Sequence, residues 1–259
     1  MTNPKAEYKD RDILSTEEID LMIEAADTVI IQPISARTKK PNPFYVLRAK
    51  ALIAIVKKFG KRRIEIGRLR RKDINTVGDS LEFTFTIAKK HKKGLFQYMK
   101  KIKETDPNIL EKSLPEIKKL WLQWQQTEQG HSLKIETALQ SIELTDKYTP
   151  FILDYLNFLE QNCPNAQFVF PTTRLVFGES LIISDSMHLS GSQLLRIIKP
   201  LNESAWLHLF RETKGAEIAK KYGRTIASVT EVKESLDLEN ESTAYVYVRR
   251  YAAKKQPKE

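Results

Sequence analysis

One cysteine and no long apolar run set the first limits on this 259-residue chain. Cys163 has no second thiol to pair with, so an internal disulfide is excluded. It stands in the turn-like Asn162-Cys-Pro-Asn165 without a clustered His or Cys, which leaves it a structural role rather than that of zinc ligand or nucleophile. No stretch is apolar enough to span a bilayer, and no basic, lipidated terminus offers an anchor. Met1 to Asp10 contain no apolar h-region, so nothing directs secretion and a cytoplasmic, nucleoid-associated location is expected. No segment repeats. Acids are in deficit too: 33 Asp and Glu face 43 Lys and Arg, a formal net charge of +10.

That excess is local, lying in Lys57 to Lys72, Lys89 to Lys93 and the tail. Basic surfaces attract polyanions, and with a membrane set aside the partner expected is nucleic acid, specifically double-stranded DNA. A hydrophobic content of 41% is that of a globular protein, long enough to bury a sizeable core.

Residues 1–13 are polar with little periodicity and read as a flexible N-terminus. Leu14 to Ala26 reads as a helix capped by Ser15 or Thr16, with acids in its first turn and Ile19, Met22 and Ile23 as its stripe. A basic loop from Pro33 to Pro43 leads to an apolar helix, Phe44 to Phe59, with Gly60 as its C-terminal cap. Leu81 to Ala88 alternates as a strand and runs into Lys89-Lys-His-Lys-Lys-Gly94. Residues 95–132 are helical in pattern, with Leu114, Ile117, Leu120, Trp121 and Trp124 on one core-like stripe. Strand character returns over Leu133 to Leu144, so this segment is expected to be a helical insertion within a β-hairpin. Thr149 to Gln161, Met187 to Ile198, Ile226 to Leu236 and Thr243 to Ala253 read as further helices, and Phe168 to Pro171 as an apolar run ending in a turn. The pattern predicts a mainly α domain with a small antiparallel β-sheet (α+β) over residues 14–253, then a basic tail, 254–259.

The chemically suggestive stretch is Ala205 to Lys220. Trp206, Leu209, Phe210, Ala216, Ile218 and Ala219 supply an apolar face, and His208 and Arg211 sit three apart, helix neighbours able to reach one ligand. An imidazole that moves a proton beside a planar guanidinium suits a phosphodiester.

Three segments together resemble the tyrosine recombinases, or phage integrases, particularly the archaeal branch. Gly60-Lys-Arg-Arg-Ile-Glu-Ile-Gly-Arg-Leu-Arg-Arg-Lys-Asp-Ile74 is similar to the family's first box, and aligning Glu65, Leu69, Asp73 and Ile74 selects Arg62 as its arginine, with Arg63 as runner-up. His208-Leu-Phe-Arg211 resembles the His-x-x-Arg box. Leu236 to Tyr247 resembles the last box, in which Leu-Gly-His precedes a polar link and the tyrosine; this selects Tyr247, with Tyr245 and Tyr251 as alternatives read as packing residues. Leu238 departs from the family's His or Trp, and the family's N-terminal DNA-clamping domain has no counterpart over these residues.

The resemblance implies DNA strand cleavage and rejoining through a 3′-phosphotyrosyl intermediate, with no metal, nucleotide or other cofactor. It makes Tyr247 the nucleophile and Arg62 and Arg211 the clamp on the non-bridging oxygens, oriented in Arg62's case by Glu65. His208 becomes a phosphate donor or proton acceptor, and Lys90, in competition with Lys89 and Lys134, the donor to the leaving oxygen. Lys61, Arg63, Arg68, Arg70, Arg71, Lys89, Lys92 and Lys93 read as DNA-backbone contacts. The resemblance also implies a homotetramer on two duplexes. Two other readings use the same residues: a topoisomerase-like nicking and resealing enzyme, and a DNA-binding remnant that no longer cuts, for which Leu238 is the motive.

Overall fold

The computed structural model describes residues 13–29, 42–87, 100, 102–104, 106–124, 137–175 and 181–252. The helices are α1 (Thr16–Ala25), α2 (Pro43–Phe59), α3 (Arg63–Gly67), α4 (Leu114–Trp124), α5 (Thr149–Asn162), α6 (Gly191–Ile198), α7 (Leu207–Tyr222), α8 (Ile226–Ser235) and α9 (Glu241–Tyr251). The strands are β1 (Ile74–Val77), β2 (Ser80–Thr86), β3 (Thr137–Glu143), β4 (Pro171–Leu175) and β5 (Leu181–His188). The N-terminal segment, most of the basic loop, Lys89 to Lys93, Lys134, and the tail lie outside the described residues, as do the side chains of Leu114, Trp121 and Trp124.

Local chemistry sets the helix ends. Ser15 caps α1 reciprocally: its hydroxyl accepts from Glu18 N–H at 3.1 Å, and its own N–H donates to the Glu18 carboxylate at 2.7 Å. Asn42 caps α2 through a 2.9 Å bond from Phe44 N–H, with Pro43 in the first turn, where its missing donor costs nothing. Gly60 ends α2 at φ 54°, the left-handed conformation that avoids a Cβ penalty only for glycine. Twelve of the 17 residues of α2 are buried, and α1, α5 and α7 pack around it.

β1, β2 and β3 form an antiparallel sheet in that order, with Ile74 opposite Phe83 and Phe83 opposite Gln140. Strict alternation puts Leu81, Phe83 and Phe85 on the buried face of β2, where Phe83 and Phe85 meet Phe59 of α2. β2 and β3 pair directly although α4 lies between them in sequence.

A second antiparallel pair, β4 and β5, was not anticipated. The Met187–Ile198 helix is accordingly corrected: Met187 and His188 end β5, and Ser190 caps a helix beginning at Gly191. Both faces of β5 are partly or fully exposed, so Ser184, Asp185 and Ser186 break the apolar alternation that marks a half-buried strand.

Two apolar clusters result. The larger joins α1, α2, the sheet, α5, α6 and the start of α7. The smaller joins the end of α7 to α8 and α9 through Ile218, Val232, Leu236, Ala244 and Val248. α7 belongs to both.

Gly60→Ala should test how the first cluster hands the chain on. Its Cβ would meet Lys214 Cβ at 3.0 Å and Leu236 Cδ2 at 3.1 Å as well as the left-handed strain. A loss of ~1–2 kcal/mol is expected in urea unfolding.

Candidate active site

Arg62 stands at the N-cap of α3. Glu65 holds it twice, accepting from Arg62 N–H at 2.8 Å and from the guanidinium Nη1 at 2.9 Å. Glu65 is itself 1% exposed, so the guanidinium is fixed from below while 21% of the Arg62 side chain remains open. This is the orienting role expected of Glu65.

Arg62 opens into a cleft of about 590 Å³ whose walls include Arg63, Leu195 of α6, and Trp206, His208 and Arg211 at the start of α7. Residues from two distant segments thus converge: the arginine of the first box faces the histidine and arginine of the second. Arg63 lies across Gly191, where a Cβ would stand 2.6 Å from Arg63 Cδ. Both arginines of the first box therefore reach the cleft.

Arg211 is 2% exposed and tied down by backbone. Its Nη1 donates to Gly60 O at 2.9 Å and its Nη2 donates to Leu236 O. Burial lowers its pKa, and the neighbouring Arg62 charge adds to that effect; Tyr247, Glu65 and Asp237 oppose it. A guanidinium remains charged under these influences. Next to it, Lys61 is fully buried, ion-paired with Asp237 and 5.2 Å from the Phe85 ring centroid. Asp237 takes φ 45°, and among the described residues no other non-glycine has positive φ.

Tyr247, on α9, is partly buried, with its ring against the backbone of Gly215 on α7. A Cβ at Gly215 would overlap Tyr247 Cδ1 and stand 2.7 Å from Cε1. Burial raises the phenol's pKa above its ordinary value, and the Arg211 charge works against that rise. Tyr247 is thus within electrostatic reach of Arg211, although it is not among the residues that line the cleft. Tyr245, two residues earlier, is 57% exposed, which corrects its reading as a packing residue; Tyr251 does pack against the smaller cluster. Leu238 also packs there, as an apolar residue would.

The expected backbone contacts divide. Arg70 is exposed, with its guanidinium 5.7 Å from the Phe168 ring centroid, and Arg68 is partly buried. Two expectations are corrected. Lys61 has no surface to offer a phosphate, because Asp237 neutralises it in the interior. Arg71 donates to the carbonyls of Cys163, Pro164 and Ala166 and pairs with Glu160, so it braces the C-terminal end of α5. Lys89, Lys90, Lys92 and Lys93 lie outside the described residues.

Sequence reasoning missed Glu212, Gly215 and the Lys61–Asp237 pair. Glu212 carried a signal in its spacing of four from His208, and Gly215 in being a glycine inside a helix; the ion pair, made across the fold, carried none.

No protein-family profile and no curated protein matches this sequence. Solved structures do. The XerH site-specific recombinase bound to palindromic difH substrate, a post-cleavage complex, is similar with a TM-score of 0.54 and 14% identity, over 96% of this chain and 52% of that one. XerH bound to difH substrate in a pre-cleavage complex gives 0.52 and 14%, over 92% and 50%. The XerA recombinase gives 0.52 and 13%, over 95% and 61%. The chain therefore spans between 50% and 61% of the length of these recombinases. Its fold is that of tyrosine recombinase catalytic domains, mainly helical with small antiparallel sheets.

Gly215→Ala should displace the Tyr247 ring. Since burial is what raises the phenol's pKa, exposing it should lower the titration midpoint toward the free value near about 10. Ultraviolet difference titration against Gly215→Ala/Tyr247→Phe measures this; an unchanged midpoint would show that the ring stayed in place.

Proposed function

We propose that this chain is a site-specific DNA recombinase or integrase of the tyrosine recombinase family, of archaeal type, that breaks and rejoins strands through a 3′-phosphotyrosyl intermediate. The observation that carries this reading is the convergence of Arg62, His208 and Arg211 on one cleft, with Tyr247 within electrostatic reach of Arg211.

The phosphodiester enters between Arg62 and Arg211. Tyr247 Oη attacks phosphorus, and negative charge builds on the non-bridging oxygens, where preorganised guanidinium donors contribute most. Arg211 uses two of its donors on Gly60 O and Leu236 O. A guanidinium has five N–H donors, so about three remain for the phosphate, in a fork already held in position. The raised pKa keeps Tyr247 a neutral phenol at rest, so attack needs a proton acceptor, and His208 is the imidazole in the cleft. Lys90 protonates the leaving 5′-oxygen. Reversal by the 5′-hydroxyl of another strand completes the exchange, in a homotetramer holding two duplexes.

A suicide DNA substrate nicked near the scissile position should trap a protein–DNA adduct on a denaturing gel. The adduct should disappear in Tyr247→Phe and persist in Tyr245→Phe. Arg62→Ala should reduce it at least ten-fold, with retention of the fold checked by circular dichroism because the buried Glu65 carboxylate loses its guanidinium partner. A folded wild type that binds the substrate yet gives no adduct under any condition would instead identify a DNA-binding protein that does not cut.

DNA affinity should fall steeply with salt. Removing Arg63 or Arg70 should flatten the slope of log Kd against log salt by about 0.9 for each phosphate no longer neutralised. Lys61→Met should leave that slope unchanged.

A further inference from the structure

Behind the imidazole of the cleft stands a carboxylate. Glu212 Oε1 lies 3.5 Å from His208 Nε2, one turn along α7. Neighbours four apart on a helix are common; the contrast in burial is more telling. The His208 side chain is 58% exposed at the cleft and that of Glu212 is 6% exposed. The face continues one turn further to Gly215, against which the Tyr247 ring lies. Glu212 thus occupies the strip of α7 between the imidazole and the phenol, and its charge reaches Tyr247. A protein interior holds a carboxylate there only at a desolvation cost.

We propose that Glu212 is a positioning residue for the attack of Tyr247: it holds the His208 imidazole with its proton on Nε2, leaving Nδ1 basic, and stabilises the imidazolium once Nδ1 has taken the phenolic proton. A carboxylate behind an imidazole fixes the tautomer and supports the charged form in this way. The assignment rests on the reading of function above. In the step, the Tyr247 Oη–P bond forms as P–O5′ breaks. The phenolic proton passes to His208, and the 5′-oxygen takes its proton from a lysine or from solvent. On rejoining, the 5′-hydroxyl attacks and gives its proton back to that lysine or to solvent, the Oη–P bond breaks, and the imidazolium returns its proton to the phenolate. The need for such support is visible in the surroundings. Arg62 and Arg63 face His208 from α3 and Arg211 from its own helix, and all three oppose a second positive charge. Behind them, Glu65 is engaged with Arg62 and Asp237 with Lys61. Among the described residues, Glu212 is the carboxylate in ion-pair contact with the imidazole.

Two measurements on full-length protein test this. In the first, the His208 ring proton is titrated by NMR without DNA, in wild type and in Glu212→Gln, with His208→Gln for assignment. Glu212→Gln should lower the midpoint by about half to one pH unit, toward the small end of carboxylate effects because the imidazole is exposed. An unchanged midpoint overturns the proposal. In the second, adduct formation on the suicide substrate is followed against pH. Glu212→Gln, isosteric and checked for an unchanged melting temperature, should slow the step about ten-fold at neutral pH and move its acid limb, and Glu212→Asp should recover part of the rate. An adduct whose rate and pH profile ignore Glu212→Gln overturns the role while leaving the recombinase reading intact. Absence of any adduct from wild type, even with the NMR shift present, removes that reading and the role with it.

Discussion

The two bonds from the Arg211 guanidinium to Gly60 O and Leu236 O hold together parts of the chain that nothing local would join. Gly60 closes the long core helix, and Leu236 closes the helix before the one that carries Tyr247. The buried Lys61–Asp237 pair repeats the connection one residue further along each segment. Backbone carbonyls hidden from water need donors, and an arginine is suited to serve two at once. In the proposed function the same side chain is a structural rivet on one side and the phosphate ligand on the other. Substitutions at Arg211 must be read with that double duty in mind, whereas Arg62, held by Glu65 and open to the cleft, separates the two roles more cleanly.

α7 makes the arrangement possible because it runs through both apolar clusters. Leu207, Leu209 and Phe210 anchor its beginning in the large core, and Ile218 and Ala219 anchor its end under α8 and α9. The polar residues lie between these anchorages, where the helix is rigid but one flank is open to the cleft. α9 is held more lightly. Ala244, Val248 and Ala252 form its buried stripe, and small side chains remove little apolar area from water. Tyr247 thus rides on an element that can shift at lower cost than α7, which carries Arg211.

Much of this was legible in sequence where a local rule applied. The Ser15 cap, the Gly60 end of α2 and the strict alternation of β2 follow from hydrogen-bonding and steric preferences within a few residues, whereas the Asn42–Pro43 start of α2 was read as part of the basic loop. The β4–β5 pair was illegible because neither strand has a continuous buried face to impose a period. In the cleft, His208 and Arg211 were picked out by their spacing and Arg62 by the resemblance of its segment to the recombinase first box; Tyr247, selected by the resemblance to the last box, is not among the residues lining it. The fates of Lys61 and Arg71 could not be read, because charge in a sequence looks the same whether its partner is a phosphate or a distant carboxylate.

Gly215 carries a consequence for anyone altering this protein. Glycine in a buried helix interior costs roughly 0.5–1 kcal/mol relative to alanine, and the chain tolerates that loss where the Tyr247 ring needs the space. Helix propensity and the seating of the Tyr247 ring pull in opposite directions at this one position. Selection for heat resistance alone would favour filling it, and would then enrich molecules that are firmer along α7 and have lost the place where the phenol rests.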